Sequence, residues 1–265
     1  MRIIKTKIIL FIVLKGRMYP IGSIRVLTDL SDTAVIETNS FFLSSFQMPP
    51  FESPFANVTK LVWITPDAEQ IIEHCARVSN PKAQDKVDTT GKLLRYLVTH
   101  KHWSPFEMAS ACVEITTTRD ISAQILRHRS FSFQEFSQRY ASTVDGLGGL
   151  EIPHLRRQDQ KNRQSSHDDL SREATQAFYR RISSAFEDIE HLYQEMLSAG
   201  VAKESARKIL PMNSPTRLYM SGTIRSWIHY LTVRRGPETQ VEHRIIAEQI
   251  YQLLNKKMPN LWEVL

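Results

Sequence analysis

Arg127-His128-Arg129-Ser130-Phe131-Ser132-Phe133-Gln134-Glu135-Phe136-Ser137-Gln138-Arg139-Tyr140 gathers cationic residues at its start and then alternates polar and aromatic groups. If residues 133–140 are extended, period-two alternation puts Phe133, Glu135, Ser137 and Arg139 on one face and Gln134, Phe136, Gln138 and Tyr140 on the other. One face then carries an acceptor, a hydroxyl and a guanidinium in a row. Such a row suits a nucleotide. The guanidinium can grip a phosphate as a bidentate fork, the hydroxyl can donate to the same phosphate, and the carboxylate can accept from a ribose hydroxyl or a base N–H. Arg127-His128-Arg129 adds positive charge for a second anionic ligand. Composition alone would equally give a solvated basic surface, so the order of residues around the stretch has to decide.

Upstream, Arg119 to His128 has a helical pattern that sets Gln124 and His128 four residues apart on one side. Ala111 to Thr117 reads as a strand, and so does Val58 to Ile64. Thr65-Pro66-Asp67 supplies an N-cap, a proline at the first helical position and an acidic first turn for a helix to about Val78. Thr89 to Thr99 reads as a second helix with Leu93, Leu94, Leu97 and Val98 inward. Downstream, Gly146-Leu147-Gly148-Gly149 breaks the chain, and the polar residues 153–170 form a long loop. Arg156, Arg157, Arg163 and Gln164 on that loop are expected to face solvent unless they cover a bound ligand.

Ser171 to Ala199 is the longest helix, stopped by Gly200. Its stripe of Ala174, Phe178, Ile182, Phe186, Ile189, Tyr193 and Met196 is assigned to the core. A short helix from about Val201 ends before Pro211, and Ser214-Pro215 is read as the start of a helix to about Arg235. A last helix, from about Thr239 to Lys257, should bury Val241, Ile245, Ile250 and Leu253. These elements predict an α+β fold, a helix-rich single domain with a small mixed or antiparallel sheet.

The 265 residues, 42% hydrophobic and 23% charged, have an ordinary globular balance. A net charge of +6 favours anionic partners without choosing among them. Cys75 and Cys112 are too few for a disulfide framework or a zinc site, and both are read as buried thiols of a reduced, cytoplasmic protein. No metal is expected. No run approaches the ~20 apolar residues of a membrane span, so no membrane association is expected either. Residues 1–25 hold six basic and no acidic residues around an apolar stretch, but no small-residue cleavage site follows. With the irregular, phenylalanine-rich residues 40–57, they are read as an N-terminal extension, residues 1–57, ahead of a domain over 58–265.

Arg127-His128-Arg129, seven residues, Ser137 and then Arg139 fit without a gap the signature of the flavin-dependent thymidylate synthases, the ThyX family, which the chain resembles. Further matches follow in the same order. They are Ala76-Arg77-Val78-Ser79, His102-Trp103-Ser104-Pro105-Phe106-Glu107, Gln124, Ala206-Arg207-Lys208-Ile209-Leu210-Pro211, and Arg225 to Arg234. The resemblance covers about residues 58–265. It implies the ThyX-like fold and reductive methylation of dUMP to dTMP, with 5,10-methylenetetrahydrofolate as carbon donor and FAD, reduced by NADPH, as hydride source. It also implies a homotetramer with active sites shared between subunits, and dUMP and folate as partners in place of nucleic acid.

By the same resemblance Gln124, Arg127, Glu135, Ser137, Gln138, Arg139, Arg207 and Arg234 hold dUMP, with Arg207 reaching in from a neighbouring subunit. Ser79, His102, Ser104, Arg127, His128, Arg129, Glu135, Thr223, Arg225 and His229 hold FAD. Arg234 is the expected catalytic residue, since a guanidinium stays charged at any working pH and can stabilise negative charge on the pyrimidine. Arg235 adjoins it and leaves a one-residue slip of register open. Thr223 and His229 stand where some members carry Asn, and Glu238 where others carry His. Ser137 has no base and orienting group beside it in the sequence, so it is read as a ligand donor and not a nucleophile. The alternatives are a basic RNA- or DNA-binding module, or a flavin-binding relative without synthase activity.

Overall fold

Ala111, Val113, Ile115 and Thr117 alternate along β5 (Ser110–Thr118) and are all buried, so one face of this strand lies on the core. It pairs antiparallel with β4 (Thr59–Ile64) on one side and with β9 (Pro215–Thr223) on the other. β6 (Ser132–Glu135) pairs antiparallel with the far edge of β9, giving the order β4-β5-β9-β6. The outer face is more open: Tyr219, opposite Glu114 in the register, donates its hydroxyl to Glu114 Oε2 at 2.7 Å. In this computed structural model the described residues are 4–14, 17–28, 34–38, 59–86, 91–142 and 146–263, the first three stretches as strand backbone alone.

The predicted α+β architecture with a small sheet is present, and the sheet is antiparallel. The largest difference lies at 215–223, which is a strand and not the first half of a helix. Thr216, Leu218 and Met220 are buried with Arg217 and Tyr219 between them, a period of two that overrides the helix-forming Arg, Leu and Met. The helix begins only at α6 (Ile224–Arg234), where Thr223 caps it by accepting from the Ser226 N–H.

A second correction concerns the signature itself. It is extended only through Glu135; beyond it the chain turns, with the N–H groups of Tyr140 and Ala141 both donating to the Ser137 carbonyl. Glu135, Ser137 and Arg139 therefore do not form one strand face. Thr65 is not a helix cap either. Its hydroxyl donates to the Ser110 carbonyl and accepts from the Ser110 N–H, tying β4 to β5, and α1 (Ala68–Ala76) starts after Asp67.

The helices cover the core face of the sheet. α2 (Lys92–Thr99) buries Leu94 and Leu97, with Leu93 and Val98 packed partly against them. α3 (Arg119–Ile125) buries Ile121 and Ile125, and α6 buries Ile224, Trp227, Tyr230 and Leu231. Trp227 Nε1 donates to the Ala111 carbonyl at 3.2 Å, which satisfies the one polar atom of a fully buried indole. α7 (Val241–Asn255) faces inward through His243, Ile246, Ala247, Ile250 and Leu254, one position on from Ile245 and Leu253 as expected from the sequence. α8 (Pro259–Trp262) closes the end. Each of these buried aliphatic side chains contributes about 1.5–3 kcal/mol.

Phe131 meets Trp227 edge to face with centroids 4.8 Å apart, and a Cβ on Gly222 would lie 2.5 Å from the Phe131 ring. Glycine at 222 thus lets β9 approach the signature. The long helix α4 (Arg172–Ser198) lies where the sequence puts it, and Ser171 caps it by accepting from the Ala174 N–H. Its apolar stripe, assigned to the core from the sequence, is not buried in the single chain: Tyr193 is, but Phe178 is 53% exposed and the stripe between them is only part-covered. Within 153–170 the loop carries a small hairpin of β7 (Arg157–Gln158) and β8 (Ser166–His167). α5 (Lys203–Ala206) runs into a 3-10 turn at Arg207–Ile209.

The chain divides into two compact units, Met1–Pro54 and Phe55–Leu265. In the first, β1 (Ile4–Leu14), β2 (Arg17–Thr28) and β3 (Ala34–Thr38) form an antiparallel sheet in chain order, with an irregularity between Leu10 and Phe11. Sequence reading assigned no strands there. The phenylalanine-rich stretch 40–57 lies outside the described residues. No helix among the described residues is long and apolar enough to cross a membrane.

Candidate functional site

The N-terminal turns of α6 open onto a cleft of about 780 Å³ lined by Trp103, Glu107, Ser130, Thr223, Arg225, Ser226, Ile228, His229 and Thr232. Its far wall is the 3-10 turn Ser104–Glu107, anchored by the fully buried Phe106. Arg225 Nη1 donates to Glu107 Oε1 at 2.7 Å across the cleft, and Ser226 Oγ donates to the Ser130 carbonyl at 3.2 Å. Helix, turn and signature loop are thereby joined. Thr223, Arg225 and His229, each named from the sequence, line this cleft together, and Ser104 stands between its lining residues Trp103 and Glu107. His102 is exposed beside Tyr96 and His100. Ser79 is exposed beyond the end of α1 and does not line the cleft. Thr232, Ile228 and Trp103 were not singled out from the sequence. The first two follow from helical spacing after Arg225, and Trp103 carried no signal beyond its motif.

At the other end of α6, Arg234 Nε donates to His128 Nε2 at 2.8 Å. The guanidinium has no acceptor, so His128 Nε2 holds a lone pair and the ring is neutral. Burial first, then the charges of Arg234 and His229, bring the His128 pKa down to about 4. The neighbouring Arg235 turns away: it pairs with Glu248 at 2.8 Å and lies over the Tyr251 ring. Behind His128, Tyr230 packs edge-on at 4.9 Å and its hydroxyl meets His243 Nε2 at 3.0 Å. His243 Nδ1 lies 3.3 Å from Gln124 Oε1, and Gln124 Nε2 donates to Gln240 Oε1 at 2.7 Å. His243 is fully buried, and burial, with the Arg234 and His128 charges, brings its pKa to about 3. Burial pushes the Tyr230 phenol well above its usual value. Of this group, His243 and Tyr230 were not named from the sequence as site residues.

Further along the signature, Glu135 Oε1 accepts from Ser122 Oγ (2.7 Å) and Thr216 Oγ1 (3.0 Å) and lies 3.4 Å from Arg119 Nη1. Ser137 Oγ accepts from the Arg139 N–H, and Arg139 pairs with Glu204 at 3.3 Å. Lys203 Nζ donates to the Tyr140 carbonyl at 2.9 Å, so α5, with half-buried Arg207 just beyond it, lies against the end of the signature within one chain. Gln138 is buried, and its Nε2 finds no partner among the described residues. Arg127 and Arg129 are exposed cations with no ion pair among the described residues, an arrangement that favours an anion. Arg156, expected in solvent, is instead largely buried. It forms a two-pronged pair with Glu242 at 2.7 and 2.9 Å and fastens the 153–170 loop to α7.

Residues 60–260 match the family model described as thymidylate synthase complementing protein. Over 193 residues the chain is 48% identical to the flavin-dependent thymidylate synthase of Synechocystis sp., covering 73% of this chain and 87% of that one. The chain belongs to the flavin-dependent thymidylate synthase family. A probable flavin-dependent thymidylate synthase of Paramecium bursaria Chlorella virus 1 is 45% identical over 199 residues, covering 75% of this chain and 90% of the relative. Among solved structures, a UMP/dUMP methylase PolB from Streptomyces cacaoi bound with 5-Br dUMP superposes with a TM-score of 0.68 at 27% identity, covering 78% of this chain and 93% of the other. The donor set fits the flavin that the family's name implies. Trp103 and Ile228 offer apolar surface to a flat ring, Thr223, Ser226 and His229 offer groups for its polar rim, and Arg127, Arg129 and Arg225 offer charge for phosphates.

Proposed function

We propose that residues 58–265 form a flavin-dependent thymidylate synthase that converts dUMP to dTMP, taking its carbon from 5,10-methylenetetrahydrofolate and its electrons from NADPH. The observation that carries this is the double use of α6: its first turns line the cleft through Thr223, Arg225 and His229, and its last turn holds Arg234 on His128 of the signature. Bound in the cleft, the flavin supplies hydride chemistry. Arg234 supplies a fixed positive charge for a pyrimidine ring that becomes electron-rich at C5, and the neutral His128 keeps that guanidinium oriented. Arg127, Ser137, Gln138, Arg139 and Arg207 are assigned to dUMP, with Gln124 and Glu135 at their edge. Ser79, His102, Ser104, His128 and Arg129 extend the FAD site, and Arg127 and Glu135 serve both ligands.

Of the two cysteines, Cys75 is part-buried and Cys112 is poorly suited to act as a nucleophile. Cys112 is buried on the sheet, where burial raises its thiol pKa and so opposes the thiolate that a nucleophile needs. The exposed stripe of α4 supports assembly, and we infer the homotetramer with shared sites, in which a neighbour's Arg207 completes the dUMP pocket. Purified protein should be yellow, should oxidise NADPH faster when dUMP is added, and should release tritium from 5-tritiated dUMP with folate present. Protein that cannot be loaded with FAD, or that releases no tritium when loaded, refutes the assignment.

A further inference from the structure

We propose that Tyr230 and His243 are positioning residues. Through a one-way chain of hydrogen bonds they fix the Gln124 amide with its oxygen inward and one N–H left for the ligand, so that the site takes a ring carbonyl in preference to a ring amino group. The inference rests on the proposed function for the placement of Gln124 at the pyrimidine nucleotide.

The direction of the chain follows from both of its ends. At the inner end Tyr230 is fully buried, and His243 Nε2, at 3.0 Å, is its hydroxyl's hydrogen-bond partner. Were His243 to donate from Nε2, the phenol hydrogen would be buried without an acceptor, which costs about 1–3 kcal/mol. The phenol therefore donates, Nε2 accepts, and the proton of the neutral imidazole sits on Nδ1. Nδ1–H then requires an acceptor, and Gln124 Oε1 lies 3.3 Å away.

At the outer end, Glu242 accepts two hydrogen-bond prongs from Arg156. Burial alone would raise the Glu242 pKa, but the Arg156 hydrogen bond and charge, with the hydrogen bond from the Gln240 side chain, hold it below the usual range. A carboxylate only accepts, so Gln240 turns its NH₂ toward Glu242 and its oxygen toward Gln124. Gln124 Nε2 donates to that oxygen at 2.7 Å, which again leaves Gln124 Oε1 for His243. An amide nitrogen has two hydrogens; Gln240 takes one, and the second is a donor whose orientation the protein has already fixed. A carbonyl such as that of uracil satisfies it, whereas the amino group of cytosine meets it donor to donor.

The test is a double-mutant cycle on flavin-loaded protein, reading dUMP and dCMP dissociation constants by calorimetry. Tyr230→Phe should weaken dUMP roughly three- to tenfold and narrow its advantage over dCMP, because the imidazole is then free to change tautomer and the amide to flip. In a Gln124→Ala background the same change should have no effect. An equal effect in both backgrounds, or an unchanged dUMP preference in Tyr230→Phe, overturns the proposal. If Tyr230→Phe loses flavin, the pair His243→Asn and His243→Leu replaces it: an Asn amide can still donate to Gln124 Oε1, so only Leu should lose the preference, and equal behaviour of the two overturns it. If the unmodified protein binds no dUMP, the assigned function falls. The hydrogen-bond chain is then judged separately by the ¹⁵N shifts of His243, where an Nδ1–H tautomer supports it and an Nε2–H tautomer overturns it.

Discussion

Arg234 Nε and His128 Nε2 are 2.8 Å apart, a permanent cation donating to the lone pair of an imidazole. Protonating that imidazole breaks the bond and sets two positive charges side by side. Burial first, and then this cation beside it, keep the histidine neutral well below the pH at which a free one would charge.

Stability should therefore depend on pH in a defined direction. His128 at about 4 and His243 at about 3 lie below the unperturbed value of 6.5, so between those limits the unfolded chain binds more protons. The stabilisation is complete above pH 6.5 and is lost as pH falls toward 4 and then 3. Urea midpoints taken in steps from pH 8 to pH 4 should decline below 6.5, and His128→Gln should flatten the decline. A level curve through that window contradicts the neutral pair.

Loss of Arg234 and loss of Arg139 should separate in steady-state kinetics. Arg234→Ala should lower kcat by about 10²–10³ with dUMP affinity changed far less, as expected for a group that meets charge developing in the transition state. Arg139 is an exposed cation paired with Glu204, and Arg139→Ala should instead raise the KM for dUMP about tenfold or more while kcat stays within a few-fold. Unchanged turnover in Arg234→Ala removes its role.

Gly222→Ala should destabilise the domain by about 1–3 kcal/mol, because the added methyl would stand 2.5 Å from the Phe131 ring in a packed core. Chemical denaturation measures this directly. Phe131→Leu in the same chain should recover part of the loss, which a purely conformational effect of removing glycine would not allow.

Arg156 and Glu242 are only 13% and 14% exposed in their side chains, so removing one partner leaves the other charge stranded. Glu242→Ala should cost about 3 kcal/mol and release the 153–170 loop, seen as faster tryptic cleavage at Arg157, Lys161 or Arg163. The double change Arg156→Met with Glu242→Leu should be closer to wild type in stability than the single change.

Strands and helices with one dominant period were legible. Residues 111–117 alternate and 172–198 repeat at helical spacing, and both appear where the sequence puts them. Residues 215–235 contain two periods back to back with no proline or glycine pair between them. The boundary at Thr223 was therefore absorbed into one helix, although Ser221-Gly222-Thr223 holds the signal: a residue fit for close approach followed by a helix cap. The signature was misjudged beyond Glu135 for a different reason. Its hydrogen bonds to β9 end with the Phe136 N–H on the Arg217 carbonyl at 2.8 Å, and pairing distant in sequence is invisible to local alternation. The cleft residues on α6 were reachable because four-residue spacing on a helix is itself geometry. Tyr230 and His243 were not, because their partnership with Gln124 depends on the packing of three separate helices.

Glu135 takes two hydrogen bonds, from Ser122 and Thr216, and the Arg119 ion pair on the single atom Oε1. One half of the carboxylate thus works as a rivet for the scaffold, while the other half is left as a lone-pair surface of fixed aim. An isosteric amide would divide these duties: its oxygen could keep the rivet, but its nitrogen would reverse the polarity of the other half. Architecture and ligand preference at this one side chain are separable by the exchange of a single atom.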